Sequence, residues 1–302
     1  MWLELQIFGF RALWSPYFLL FVLSLGIAYF LVTGPLRHKF GVIEKPSVKQ
    51  QAIFYTGLLL LYLVKGSPID LLTHIMLTAH MMQMAVYLII FPILMIKGIP
   101  AWIWEKVIKL PIIYPLMRFL TKPLIAILLF NALFSIYHIP AVFNFSKTSL
   151  VAHTSISIIL LIAAFIVFFP MISPVKELDK LKPLLKIFYI FGNSVLITPA
   201  CVLIIFSNVP LFEAYSASGA WLQALALCVP GDVLNGLTFT LSGPEMFSPM
   251  STLEDQQLGG IIMKIIQEIA YGTLLAQIFY GWFNAESHKI DPLPVANATD
   301  SN

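Results

Sequence analysis

Long apolar runs broken by short polar connections set the pattern of this chain. A membrane-spanning helix needs about 20 mainly apolar residues. Runs of that kind fall at 14–33, 51–66, 71–96, 123–143, 150–172, 184–207 and 258–282. They predict an all-α fold, a polytopic membrane helix bundle of seven transmembrane helices, forming one transmembrane domain over 1–282. The second run, QAIFYTGLLLLYLVKG, is the shortest, and the third is long enough to tilt. Residues 109–121, KLPIIYPLMRFLT, are apolar with basic flanks and are expected along a membrane interface, or else as an ordinary loop. The loop 208–257 is too long for a turn and too apolar for disorder, so it is expected to fold back over the bundle ends. The tail 283–302 reads as disordered.

Composition agrees with the pattern: 59% of the 302 residues are apolar and 11% are charged, against about 45–50% and 25% in soluble domains. The net charge of +3 gives no support for a nucleic-acid partner. Two cysteines, Cys201 and Cys228, are too few for a disulfide framework. The first apolar run is followed by a basic cluster and carries no small-residue cleavage site, so it is expected to be a helix and not a leader.

Lys and Arg sort by connection, which sets orientation. The first connection holds Arg37, Lys39, Lys45 and Lys49; the third holds Lys97, Lys106, Lys109, Arg118 and Lys122; the fifth holds Lys176, Lys180, Lys182 and Lys186. The alternate connections carry Lys65, Lys147 and none. The basic loops are therefore expected in the cytoplasm, with the N-terminus outside and the C-terminus inside.

Ionisable groups inside a span are costly and are candidates for function. His74 and His80 fall in the outer half of the third run, His138 near the outer end of the fourth, His153 at the start of the fifth, and Asp255 at the outer end of the seventh. Four of six histidines and a carboxylate thus gather on one membrane face. At ~1.5 Å per residue His80 lies roughly 14 Å below its helix end, and His138 and His153 about 5–8 Å down. Imidazole suits several transition metals and thioether sulfur favours Cu(I). Met84 lies one turn from His80, so His80, His138, His153, Met84, His74 and Asp255 form the candidate metal set. Packing is the ordinary reading of a methionine run, and a helix–helix hydrogen bond that of a single histidine. Asn131, Ser135 and His138 make one stripe that should face the bundle interior. Lys264 and Glu268, four residues apart, are expected to neutralise each other.

The stretches Ala79–Gln83, Tyr137–Pro140, His153 and Asp255–Met263, in that order and placement, resemble the bacterial CtaG family, assembly factors for caa-type cytochrome c oxidase in Bacillus-like bacteria. The resemblance covers nearly the whole chain. It departs at two positions: Met84 stands where many members have a second histidine after H-M-x-Q, and Lys264 where many have Trp. The resemblance implies a multi-pass protein of the bacterial plasma membrane, in contact with lipid and with cytochrome c oxidase subunits. It implies a role in forming active oxidase rather than catalysis, with a copper ion as the expected cargo of an outward-facing His/Met site. The alternatives are a metal-free membrane scaffold or insertion factor, a transporter for copper or another small solute, and a haem protein. Each has its own readout: intact assembly without the histidines, uptake in vesicles, or colour.

Overall fold

The computed structural model describes residues 2–216, 218–237, 241 and 243–290. Every regular element among the described residues is helical. Two short helices, Trp2–Leu5 and Gly9–Trp14, precede α1 (Pro16–Thr33). Then come α2 (Val48–Lys65), a single turn α3 (Pro68–Leu72) and α4 (Leu77–Gly98). Next are α5 (Ala101–Ile108), α6 (Ile113–Leu120), α7 (Pro123–Tyr137) and the short α8 (Pro140–Ser146). The chain ends with α9 (Leu150–Ile172), α10 (Pro183–Ile205), two short helices α11 (Ser218–Leu225) and α12 (Gly231–Leu237), and the long α13 (Thr252–Ile290).

Each of the seven apolar runs thus carries a helix, but their boundaries shift for physical reasons. Five stretches are long and apolar enough to cross a membrane: Gln6–Thr33, Leu77–Gly98, Leu150–Ile172, Pro183–Ile205 and Thr252–Ser287. A sixth results if α6 and α7, bent by 84°, count as one. The α2 helix lies outside that group because its first turn, Val48–Gln51, is polar. The third run was expected unbroken from 71; instead the helix stops at Leu72 and restarts at Leu77, with Met76 extended. The fourth was expected to reach 143; it stops at Tyr137 because Pro140 excludes the helical conformation from Ile139, which is extended. The last helix continues to Ile290, past the expected end at 282; the remainder of the expected disordered tail, 291–302, lies outside the described residues.

Packing follows from small residues and proline. A Cβ on Gly98 would sit 2.7 Å from the backbone of Phe54, so α2 and α4 cross in direct backbone contact there. Gly259 lets α13 cross α4 at Thr78, where a Cβ would be 3.1 Å away. Pro92 lacks an N–H and its ring crowds the carbonyl four residues back; α4 absorbs this with a π turn over Val86–Ile90. Buried amides join three helices: Asn131 Nδ2 of α7 donates to Asn193 Oδ1 of α10 at 2.6 Å, and Asn193 Nδ2 donates to the Tyr271 hydroxyl of α13 at 2.7 Å. The 84° bend leaves α6 across the end of the bundle, with none of its residues buried.

A second apolar core caps the opposite end. Leu5, Phe8 and Leu13 from the N-terminal turns meet Leu71, Ile75, Trp221 and Phe247. The loop before α13 is tied down by two long-range bonds: the Tyr215 hydroxyl donates to the Thr73 carbonyl at 2.7 Å, and Gln223 Nε2 to that of Thr148 at 3.2 Å. Outward faces remain apolar, with Phe21 and Ile27 on α1, Ile162 on α9 and Phe188 and Phe191 on α10 all exposed. Such faces suit hydrocarbon, where helices keep their backbone bonds internal.

Candidate functional site

The gathered histidines lie beneath the second core, at the end of the bundle where α4 begins and α7 ends. His80 is in the first turn of α4, its N–H bonded to the Met76 carbonyl at 3.2 Å. His138 is the residue on which α7 stops. Both are buried, and both rings flank Tyr137, at centroid distances of 6.1 Å and 5.1 Å. Phe143 stands edge-on to His80 at 5.2 Å, and Phe134 packs on His138 at 4.2 Å. Each ring is therefore walled by aromatic side chains, with Tyr137 common to both, which makes an aromatic box.

Hydrogen bonding fixes the tautomer of His138. His138 Nδ1 lies 2.7 Å from the Phe134 carbonyl. Only an N–H can meet a carbonyl, so Nδ1 holds the proton and Nε2 is a bare lone pair. That Nε2 is buried with no partner. Ser146 Oγ donates to the Phe143 carbonyl at 2.6 Å. His80 Nε2 and the Tyr137 hydroxyl share a hydrogen bond of 3.2 Å. His80 Nδ1 is buried without a partner. An orphaned buried polar atom costs about 1–3 kcal/mol. An imidazole whose other nitrogen donates to a carbonyl or hydroxyl is the usual state of a metal-ligating histidine. Met84 is buried one turn along α4 from His80.

The remaining expected residues lie elsewhere. Asp255 is a cap, not a ligand that points at the histidines. Its carboxylate accepts from the Leu77 N–H at 2.6 Å and the Thr78 N–H at 3.2 Å, while its carbonyl accepts from the Thr78 hydroxyl at 2.8 Å. The first N–H groups of a helix have no internal partner, and Met76 brings no capping side chain to α4, so α13 supplies one. His74 is not inside a helix; it lies in the turn before α4. It pairs with His153 of α9 at 5.5 Å, and its Nδ1 has no partner. These two rings line a separate lateral groove of about 740 Å³ between α1 and α9, with Lys65, Asp70 and Cys228 beside them. The expected single constellation is therefore divided. Among the described residues no three His, Cys, Asp or Glu side chains form a metal-holding group.

Lys147, Gln83 and Asp70 lie at the same end of the bundle; of these the sequence marked Lys147 in its connection and Gln83 in the Ala79–Gln83 stretch, and gave no sign of Asp70. Lys147, which follows α8, is 2% exposed; its Nζ has no hydrogen-bond partner and lies over the Phe143 ring at 5.5 Å. Burial, and then the charge of Lys65, push its ammonium down to about 7. The same burial, reinforced by Lys147, holds His74 well below the ordinary histidine range, so its ring is neutral. Gln83 donates to Asp70 Oδ1 at 2.7 Å and to the Val64 carbonyl, and accepts from Lys65 Nζ at 3.1 Å. Burial raises Asp70, against the opposing pull of Lys65, Gln83 and Lys147. A single lysine in the apolar connection NFSKTSL was the available signal for Lys147. Lys264 and Glu268 do neutralise each other, at 2.6 Å, and bond across to Thr198 and Ser194 of α10.

Apolar helices of spanning length, an exposed apolar girdle and buried polar groups at one end define a multi-pass membrane protein of the helix-bundle class. The chain belongs to a family described as cytochrome c oxidase caa3 assembly factor (Caa3_CtaG), whose match covers residues 27–285. Its role at that level is assembly of a caa3-type cytochrome c oxidase, with which it associates. No curated protein and no solved structure matches the chain.

Proposed function

We propose that this protein carries out its assembly role by holding Cu(I) between His80 and His138 and surrendering it to a copper-accepting subunit of the oxidase. The two buried, unpartnered imidazole nitrogens, His80 Nδ1 and His138 Nε2, are the observation that carries this reading. Copper here is cargo and not a resident cofactor. Two neutral nitrogens, with the Met84 thioether nearby, suit a soft monovalent ion. A pair with no third His, Cys, Asp or Glu among the described residues also suits release, because an incoming ligand set on the oxidase can outcompete it. The Phe134 carbonyl fixes the His138 ring with its Nε2 free, the Tyr137 hydroxyl holds the His80 ring, and aromatic walls shield both from solvent. The chain's part is binding and orientation, without catalysis.

In this reading all seven long helices cross the plasma membrane, with the N-terminus outside and the C-terminus in the cytoplasm. The sorting of Lys and Arg supports that orientation. It puts the aromatic box on the outer face, under the cap formed by the N-terminal turns and the loop before α13.

Oxidase activity in cells tests the proposal. Cells carrying His80→Ala/His138→Ala should accumulate the protein but lose most oxidase activity, and added copper should restore part of it. Full activity in the double variant would reject copper transfer through this pair and leave a metal-free scaffold.

A further inference from the structure

On the face opposite the α1–α9 groove, α2, α4 and α13 enclose a lateral groove of about 780 Å³. Its walls are aliphatic, from Ile53, Ile90, Leu94, Ile266 and Leu274. One end is cationic, formed by Lys49 of α2 and Lys97 of α4, with Thr273 and Gln277 of α13 beside them. This is the end where Gly98 meets Phe54, away from the histidines. Gln50 Nε2 donates to the Lys97 carbonyl at 3.3 Å and Lys97 Nζ donates to Gln277, so Lys97 ties α4 to both α2 and α13 at this end. Among the described residues lining the groove there is no carboxylate. The two lysines repel each other, and the lining meets their charge only with the neutral Gln277 amide.

We infer that the groove binds one anionic phospholipid, its phosphate between Lys49 and Lys97 and an acyl chain along the aliphatic wall. A transmembrane helix about 30 Å long and 10 Å wide occupies roughly 2,400 Å³, three times the space. The groove is instead in the range that holds a single small ligand, about 300–1,000 Å³. The charge selects an anion, because a zwitterionic headgroup brings its own cation against the lysines. Basic recesses between membrane helices at the cytoplasmic surface hold such headgroups, and these lysines lie in connections whose basic residues sort to that side. A bound lipid bridges α2, α4 and α13 where α2 is least apolar.

Native mass spectrometry of the full chain in detergent, titrated with phosphatidylglycerol or phosphatidylcholine, tests the assignment. Each lysine near an anionic headgroup contributes about 1 kcal/mol, and 1.4 kcal/mol is tenfold. The wild type should prefer phosphatidylglycerol by about 30-fold. Lys49→Gln, a change at an exposed site that leaves packing intact, should cut this about fivefold. Lys49→Gln/Lys97→Gln should abolish it, and Lys49→Arg/Lys97→Arg should keep it. Equal binding of both lipids by the wild type, or an undiminished preference in Lys49→Gln, would overturn the inference. So would dimerisation of the delipidated chain that lipid fails to reverse, which would assign the groove to a second copy.

Discussion

Lys147 illustrates how single residues here oppose stability and so mark function. A buried ammonium with no hydrogen-bond partner should be removed by selection for stability alone. Its pKa of about 7 lies far below the ordinary value of 10.5. Between those values the unfolded chain holds a proton that the folded chain does not, so stability rises with pH across that window. Lys147→Met should therefore raise stability by about 1–4 kcal/mol at pH 7, and the gain should fade as pH approaches 10.5. Thermal unfolding at pH 7 and pH 10 checks both the sign and the window. Asp255 marks the converse. Asp255→Asn keeps one acceptor for the first turn of α4 and should cost about 1 kcal/mol with Cu(I) affinity intact, since the carboxylate is a cap. A parallel loss of Cu(I) affinity would return Asp255 to the ligand set.

At the scale of elements, helix crossings are set by glycine. Gly98→Ala brings a Cβ to 2.7 Å from Phe54 backbone atoms that cannot swing aside, whereas a Cβ at Gly272 meets nothing within 4 Å. Gly98→Ala should destabilise by about 1–3 kcal/mol. Gly272→Ala should be neutral or stabilise by up to about 1 kcal/mol through helix propensity. Thermal melts of the two variants in one detergent separate the cases. The same crossings explain what sequence could reveal. Hydropathy placed a helix in each of the seven apolar runs, five of them, or six with the bent α6–α7 pair, long and apolar enough to span. It could not locate the break at Thr73–Met76, because that break depends on Asp255 arriving from a helix 177 residues away in sequence to cap Thr78. The end of α7 was legible in Pro140, but a hydropathy window passes over a single proline.

For the whole molecule, gathering the histidines on one face was legible from chain direction alone, since alternate helices run in opposite senses. How they divide was not. Which side of its helix a histidine occupies, and whether Lys147 lies between them, depends on helix rotation and on the loop that folds back. Two of the six candidate residues, His80 and His138, flank Tyr137 with a buried, unpartnered nitrogen each; His74 and His153 pair at a different groove, Asp255 caps α4, and Met84 is buried one turn from His80. Orientation is testable directly. With Cys201 and Cys228 replaced by Ala, a membrane-impermeant maleimide should label Ser251→Cys on intact cells and Lys176→Cys only after lysis. The reverse pattern would turn the aromatic box inward.

The central claim is that His80 and His138 hold Cu(I) as a pair. Competition titration of the purified, reduced protein against a Cu(I) chelator measures this without the oxidase. The wild type should take up one Cu(I) per chain. His80→Ala and His138→Ala should each abolish competition, while His74→Ala/His153→Ala should leave it unchanged. Equal uptake by the His80→Ala protein, or loss of uptake only when His74 and His153 are removed, would contradict the account.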